Sequence, residues 1–164
     1  MISQIVLMRH ATRAAVLEFG NGESSLNATG LAQAEKLADA VKLAGKLPAP
    51  TRLLCSPKLR ARQTLEPLSK ASGLKIEIVN DLDERREHES LRAFEERIRK
   101  LAESLPQNET VYVCTHLDVL EVAAALWPTN FSERESAQAW STLEFQVFKI
   151  RDGLFEAGAR GRIE

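Results

Sequence analysis

The run Met8-Arg9-His10-Ala11-Thr12-Arg13 follows directly on the apolar segment Ile5-Val6-Leu7. It sets a potential nucleophile between two permanent cations. An imidazole can attack phosphorus, and guanidinium forks can neutralise the oxygens around it. A histidine flanked by arginines at a strand exit is therefore an arrangement for holding a phosphoryl group. Later exits carry residues of the same chemistry: Ser56 with Arg60, then Glu84, then His116.

These residues are expected to converge. In open parallel sheets the ligand crevice lies beyond the carboxyl ends of the strands, where His10, Ser56 with Arg60, and His116 all fall. Arg60 sits in the first turn of a helix and can reach back toward the strand ends. His116 precedes a helix N-terminus, whose free amides and dipole favour an anion. The set suits a tetrahedral dianion. It suits a metal poorly, having few ligand nitrogens and arginines that would repel a cation, so no metal and no cofactor are expected. A single histidine at a strand-loop junction is more often structural, but two at separate exits, each near arginine or a helix N-terminus, argue against coincidence. Arg62 reads as a solvated helix face, and His88 as a surface residue in the charged stretch Glu84 to Glu89. Arg13 reads equally well as a loop arginine or a phosphate contact.

The elements that must position them alternate. Ile5 to Met8 is a short apolar run, as in a strand covered on both faces. Arg13 to Ser25 is a polar loop. Asn27 offers a cap to a helix running to about Ala44, with Leu31, Ala34, Ala38, Val41 and Ala44 on its inner face. Pro48-Ala49-Pro50 forces an extended turn. Leu53 to Cys55 is a second strand, and Ser56-Pro57 reads as the cap and first position of the next helix. Lys75 to Val79 alternates as a third, edge strand. Leu91, Phe94, Ile98, Leu101 and Leu105 form the apolar stripe of an amphipathic helix. Thr110 to Cys114 is a fourth strand. Leu117 to Leu126 is apolar almost all round and is expected as a buried helix, ended by Trp127-Pro128. Glu144 to Ile150 alternates again, Asp152-Gly153 turns Leu154 to Glu156 back as a hairpin, and the residues after Ala157 are expected to fray. The pattern is a three-layer α/β/α sandwich with a mostly parallel central sheet, in one domain over 1–164.

Composition narrows the function. The chain has 164 residues, 44% of them hydrophobic, and a net charge of −1. Its pI is about 6.3. No global field draws it to nucleic acid or an acidic membrane surface, and no apolar run approaches a membrane span. The first residues enter a strand almost at once, with no basic and apolar leader, so a cytoplasmic location is expected. Cys55 and Cys114 fall in buried strands and read as small core residues.

The motifs resemble the histidine phosphatase superfamily, which also contains the cofactor-dependent phosphoglycerate mutases. Leu7-Met8-Arg9-His10-Ala11 is similar to its opening strand-Arg-His-Gly signature, with alanine for glycine. Leu26 to Ala34 carries the following glycine and Gln-Ala. Ser56-Pro57-Lys58-Leu59-Arg60-Ala61-Arg62-Gln63-Thr64 is the most specific match, and Cys114-Thr115-His116 resembles the second histidine motif. The resemblance runs from Ile5 to about Trp127 in the family's order and spacing, and implies a phosphoglycerate mutase-like fold.

It also implies a metal-independent phosphatase working through a phosphohistidine on His10. Arg9, Arg60 and His116, with Arg13 as a further candidate, would hold the phosphoryl oxygens, and Glu84 would serve as general acid. Size favours the small bacterial SixA-like phosphohistidine phosphatases. Leu82-Asp83-Glu84-Arg85 instead resembles the mutase and broad-phosphatase segment that supplies an acid, the alternative being a broad-specificity phosphomonoesterase using Glu84. A mutase, or a silent phosphate-binding module, fits less well. Arg13 is similar to the extra arginine of the acid-phosphatase branch, although that branch has aspartate directly after its second histidine, and Asp118 lies one position later. The substrate is thus expected to be a phosphorylated small molecule or a phosphohistidine protein. Its identity depends on loop residues such as Val16 to Ser25 and Asn130 to Ala139.

Overall fold

The computed structural model describes residues 3–14, 24–130 and 139–164. Six strands form one sheet in the order β3-β2-β4-β1-β5-β6. In chain order the elements are β1 (Ser3–Arg9), α1 (Ala28–Lys42), β2 (Arg52–Cys55), α2 (Leu59–Ser72), β3 (Ile76–Ile78), α3 (Leu91–Ser104), β4 (Thr110–Thr115), α4 (Leu117–Leu126), β5 (Glu144–Arg151) and β6 (Leu154–Arg162). The strands β3, β2, β4 and β1 pair in parallel, while β5 and β6 run antiparallel beside β1.

Side-chain alternation along the inner strands divides the core into two layers. Ile5, Leu7, Leu54, Val111 and Val113 face α3 and α4, meeting Phe94, Ile98 and Leu120. Val6, Met8, Leu53, Cys55, Tyr112 and Cys114 face α1 and α2, meeting Leu37, Leu65 and Leu68. The sheet is thus covered on both faces, as the continuous apolar runs of β1 and β4 require. Cys55 and Cys114 are free, buried members of the second layer, opposite each other in the β2–β4 register. Burial pushes the Cys55 thiol up to about 12, and raises Cys114 as well.

Several sequence expectations need correction. Leu31 is 49% exposed, and Leu37, wholly buried, takes its place in the α1 stripe. The buried arc is centred on Gly30, Ala34, Leu37 and Val41, so Leu31 falls at its edge. Ala44 lies beyond the helix end. Ser56 does not cap α2: Lys58 holds that position without a side-chain bond, and the Ser56 hydroxyl points elsewhere. α4 is buried along one face only, through Val119, Leu120 and Ala123, while Glu121, Ala125 and Leu126 are exposed. The chain after Ala157 does not fray. It continues β6 to Arg162, held by pairing with β5 and by the Arg160–Glu144 ion pair at 2.6 Å. The expected loop over Arg13 to Ser25 lies mostly outside the described residues, with Arg13 bridging Leu26 at its base.

Two helices on one face grip the chain after β1. Gln33 of α1 accepts bonds from the Thr12 backbone N–H at 2.9 Å and the Thr12 hydroxyl at 3.0 Å. Thr64 of α2 accepts the Ala11 N–H at 3.0 Å and donates to the Arg60 carbonyl at 2.8 Å. Gly30 is needed for close approach: a Cβ there would lie 1.9 Å from the Thr12 carbonyl oxygen. Glycine to alanine inside an exposed helix usually stabilises by about 1 kcal/mol. Here Gly30→Ala is expected to destabilise by about 1–3 kcal/mol, the scale of overpacking, because the clash is with backbone. Urea unfolding reads the sign of the change directly, and a gain in stability would refute the contact.

Candidate active site

Strand register assembles the site. Arg9 lies opposite Thr115 across β1–β4, and Cys55 opposite Cys114 across β2–β4. The ladder runs one residue further: the His10 N–H donates to the Thr115 carbonyl at 3.0 Å, and the Ser56 N–H to the Cys114 carbonyl at 3.1 Å. His10, His116 and Ser56 therefore leave neighbouring strands side by side. The two imidazoles are 5.3 Å apart, centroid to centroid, in an edge-on arrangement. Arg60 enters from the first turn of α2.

These groups line a cavity of about 250 Å³ together with Arg9, Arg13 and Glu84. Its rim is completed by Leu117, Asp118 and Glu121 at the start of α4. All six site residues expected from the sequence are thus brought together. Two larger grooves, about 460 Å³ each, lie elsewhere and contain no histidine. Arg62 and His88 are on the surface, as expected.

The nucleophile candidate has a fixed geometry. His10 is 4% exposed, and its Nδ1–H donates to the Ala11 carbonyl oxygen at 2.7 Å. A carbonyl only accepts, so a neutral ring carries its lone pair on Nε2. The His10 pKa is lowered to about 4, chiefly by burial and also by Arg60, Arg9 and Arg13, against the support of the Ala11 carbonyl. Burial, followed by Arg60 and His10, brings His116 down to about 2. Both rings are neutral near pH 7. Ala11 has a negative φ, so alanine in place of the family's glycine carries no backbone strain.

The cations have partners both beyond the cavity and in its lining. Arg9 Nη1 donates to the Trp140 carbonyl oxygen at 2.7 Å, and the Leu143 N–H bonds the Arg9 and His10 carbonyls at 3.1 Å. Burial and Arg13 work against the Arg9 charge, while Glu121 supports it. Arg60 is 1% exposed, and its Nη2 donates to Glu84 Oε2 at 2.9 Å. Arg13 is exposed at the mouth.

Glu84 reaches the cavity on a braced loop. Arg97 of α3 donates to the carbonyls of Asp81 at 2.7 Å and Asp83 at 2.9 Å, and pairs with Glu89 at 2.7 Å. The Thr115 hydroxyl donates to the Leu82 carbonyl at 2.6 Å, and Asp118 accepts the Arg85 N–H at 2.9 Å. Sequence reasoning missed Arg97, Gln33, the rim carboxylates and the Ser56–His116 contact. Gln33 stood within a recognised motif, but Arg97 carried no signal beyond being one more charge on an amphipathic helix. Among the described residues, no group of three His, Cys, Asp or Glu side chains is placed to hold a metal ion. No helix among them is long and apolar enough to cross a membrane.

An NMR titration tests the electrostatics. His10 is expected to titrate near pH 4 rather than near its ordinary 6.5. Because the folded value lies below the unfolded one, the unfolded chain binds more protons between them. His10 therefore contributes a loss of stability as pH falls from about 6.5 toward 4. A His10 midpoint near 6.5 would contradict the buried, cation-lined environment.

The chain is similar to known proteins in sequence and in fold. The family model for the histidine phosphatase superfamily (branch 1) matches residues 5–87, a span containing Arg9, His10, Arg60 and Glu84 but not His116. No curated protein matches the chain. A candidate alpha-ribazole-5'-P phosphatase from Escherichia coli superposes with a TM-score of 0.77 at 20% identity, covering 99% of this chain and 98% of the other. A candidate phosphohistidine phosphatase SixA from Agrobacterium tumefaciens gives 0.73 at 21% identity, covering 96% of each. A phosphoserine phosphatase from Entamoeba histolytica, solved with 3-phosphoglyceric acid, gives 0.75 at 14% identity over 97% and 96%. The fold is the phosphoglycerate mutase-like one. With just over half its length matched by the family model, the chain belongs to the histidine phosphatase superfamily.

Proposed function

We propose that this protein is a phosphatase that works through a phosphohistidine at His10 and uses Glu84 as its acid–base group, with small phosphomonoesters as substrates. The observation carrying this reading is Glu84 itself: its carboxylate lines the same cavity as His10 and His116. An alkoxide leaving group is a strong base and needs a proton in the transition state, whereas the imidazole of a phosphohistidine can leave with less help near neutral pH. An acid held beside the nucleophile therefore favours an ester substrate.

The chemistry follows in two steps. The Nε2 lone pair of His10 forms the N–P bond in line as the P–O bond to the leaving group breaks. The departing oxygen takes the electron pair and a proton from Glu84, which enters the step as the carboxylic acid with Arg60 turned to the phosphoryl oxygens. Water then attacks the phosphohistidine, Glu84 takes its proton, and the N–P electron pair returns to Nε2. Arg9, Arg60 and His116, with Arg13 at the mouth, hold the equatorial oxygens and offset the charge spread over them. The arginines among them supply the stabilisation that a metal provides elsewhere.

A second reading, a phosphohistidine protein as substrate, draws support from the small size of the chain and its structural likeness to SixA. Replacing Glu84 separates the two. Glu84→Gln is expected to slow alkyl phosphate hydrolysis by roughly 10²–10⁴-fold while sparing aryl phosphates, the usual range for losing a general acid. Equal rates on all substrates would remove the acid–base role and favour the phosphohistidine reading.

The intermediate has its own test. Rapid quench with labelled substrate should leave acid-labile, base-stable label on the His10 peptide, with or without chelator. Label elsewhere, or full turnover by His10→Ala, would overturn the nucleophile.

A further inference from the structure

Ser56 is left unexplained by the chemistry above. It is wholly buried, has no cap to make, and lies beside His116 rather than beside the phosphorylated histidine. Its Oγ is 2.7 Å from His116 Nε2 and 3.2 Å from the Lys58 backbone nitrogen. The Lys58 N–H can only donate, so it takes a lone pair of the hydroxyl. Among the described residues the hydroxyl proton then has one hydrogen-bond acceptor, His116 Nε2. On the far side of the ring, Nδ1 is buried and has no hydrogen-bond partner among the described residues. His116 is 3% exposed and is one of the residues that line the cavity.

We infer that Ser56 is a positioning residue that sets the tautomer of His116: its hydroxyl donates to Nε2, and the ring proton is thereby placed on Nδ1 as a donor to the phosphoryl group.

The opposite assignment fails on two counts. If Nε2–H donated to Ser56 Oγ, the serine hydroxyl proton would be buried without an acceptor. Nδ1 would also offer a lone pair to an anion, which is repulsive. Leaving a buried polar group unsatisfied costs about 1–3 kcal/mol, enough to decide between tautomers of similar intrinsic energy. Protonating the ring would offer a donor on both nitrogens, but the buried, cation-lined surroundings oppose a charge there. A neutral ring of fixed tautomer is how this site obtains a donor without adding a further cation. Ser56 thus does for the second histidine what the Ala11 carbonyl does for the first. In each case the partner on one ring nitrogen decides what the other presents.

The inference rests on the phosphatase reading for its catalytic consequence, but the tautomer is measured without turnover. In ¹⁵N-histidine-labelled protein near pH 7, His116 is expected to show a protonated Nδ1 and an unprotonated Nε2. Ser56→Ala should give a mixture of tautomers and bind inorganic vanadate roughly tenfold more weakly, the lower end of a charge-assisted hydrogen bond. Ser56→Thr, which keeps the hydroxyl, should restore both. An Nε2-protonated ring in the unaltered protein would overturn the inference. So would Ser56→Ala that keeps the Nδ1–H form and its vanadate affinity. If Ser56→Ala does not fold, the spectra of the unaltered protein and of Ser56→Thr still decide. If the Nδ1–H form is present and no phosphate ester is turned over, the tautomer assignment stands and the phosphatase reading falls.

Discussion

The parallel pairing of β4 between β1 and β2 is the constraint on which the rest of the structure depends. It places the exits of three strands in adjacent positions, and the ladder bonds of His10 and Ser56 carry the register one residue past the strands. A slip of one residue in a sheet buried on both faces would exchange the two core layers, moving Val6 and Met8 to the α3–α4 side. The same slip would turn His10 away from His116. The packing of Ile5 to Met8 thus fixes the site geometry as a by-product of fixing the core.

That geometry gathers charge where water is scarce. Arg60 is almost fully buried, Arg9 and Arg13 stand near it, and both imidazoles are held neutral. Charges of one sign concentrated in a low-dielectric cleft cost stability, and they attract an anion strongly for the same reason. The protein moderates the cost from the rim. Glu84 pairs with Arg60, Glu121 supports Arg9, and Trp140 lends a carbonyl. Cations gathered in such a cleft are already placed for a phosphoryl dianion, and this is the form that preorganised electrostatic stabilisation takes.

The strands and most helix boundaries were legible in the sequence because each is written in a local pattern: β1 in a continuous apolar run, α1 in the Asn27 cap, the β5–β6 hairpin in Asp152-Gly153. The site residues were legible because two histidines at separate strand exits, each near arginine or a helix N-terminus, are hard to account for as structural residues. What escaped was set by partners distant in sequence. Ser56 resembles a helix cap locally, and only the β2–β4 register reveals that His116 competes for its hydroxyl. The apolar composition of α4 implied burial all round, but Glu121, Ala125 and Leu126 on one side of that helix are exposed. The tail after Ala157 was expected to fray as chain ends commonly do, yet the Gln146 side-chain amide donates to the Gly158 carbonyl at 2.9 Å and pins it. Gly30 and Gln33 stood in a recognisable motif whose purpose, gripping the Thr12 backbone, no periodicity discloses.

The Arg60–Glu84 pair joins the two halves of the proposed chemistry. At 2.9 Å the carboxylate occupies one face of the guanidinium fork that a phosphoryl group needs. A dianion is the stronger competitor for that fork, being bidentate and doubly charged. Its arrival would draw Nη2 away and free Glu84, leaving the carboxyl beside the phosphorus rather than bound to the arginine. Glu84 cannot drift far once released, since Arg97 holds the carbonyls of Asp81 and Asp83, Thr115 holds Leu82 and Asp118 holds Arg85. A group braced at its backbone and tied at its tip by one exchangeable bond can change partners by side-chain rotation alone. Binding and proton delivery would then be coupled through a single arginine, and the rigidity of the loop around Glu84 would matter as much to turnover as the carboxyl group it carries.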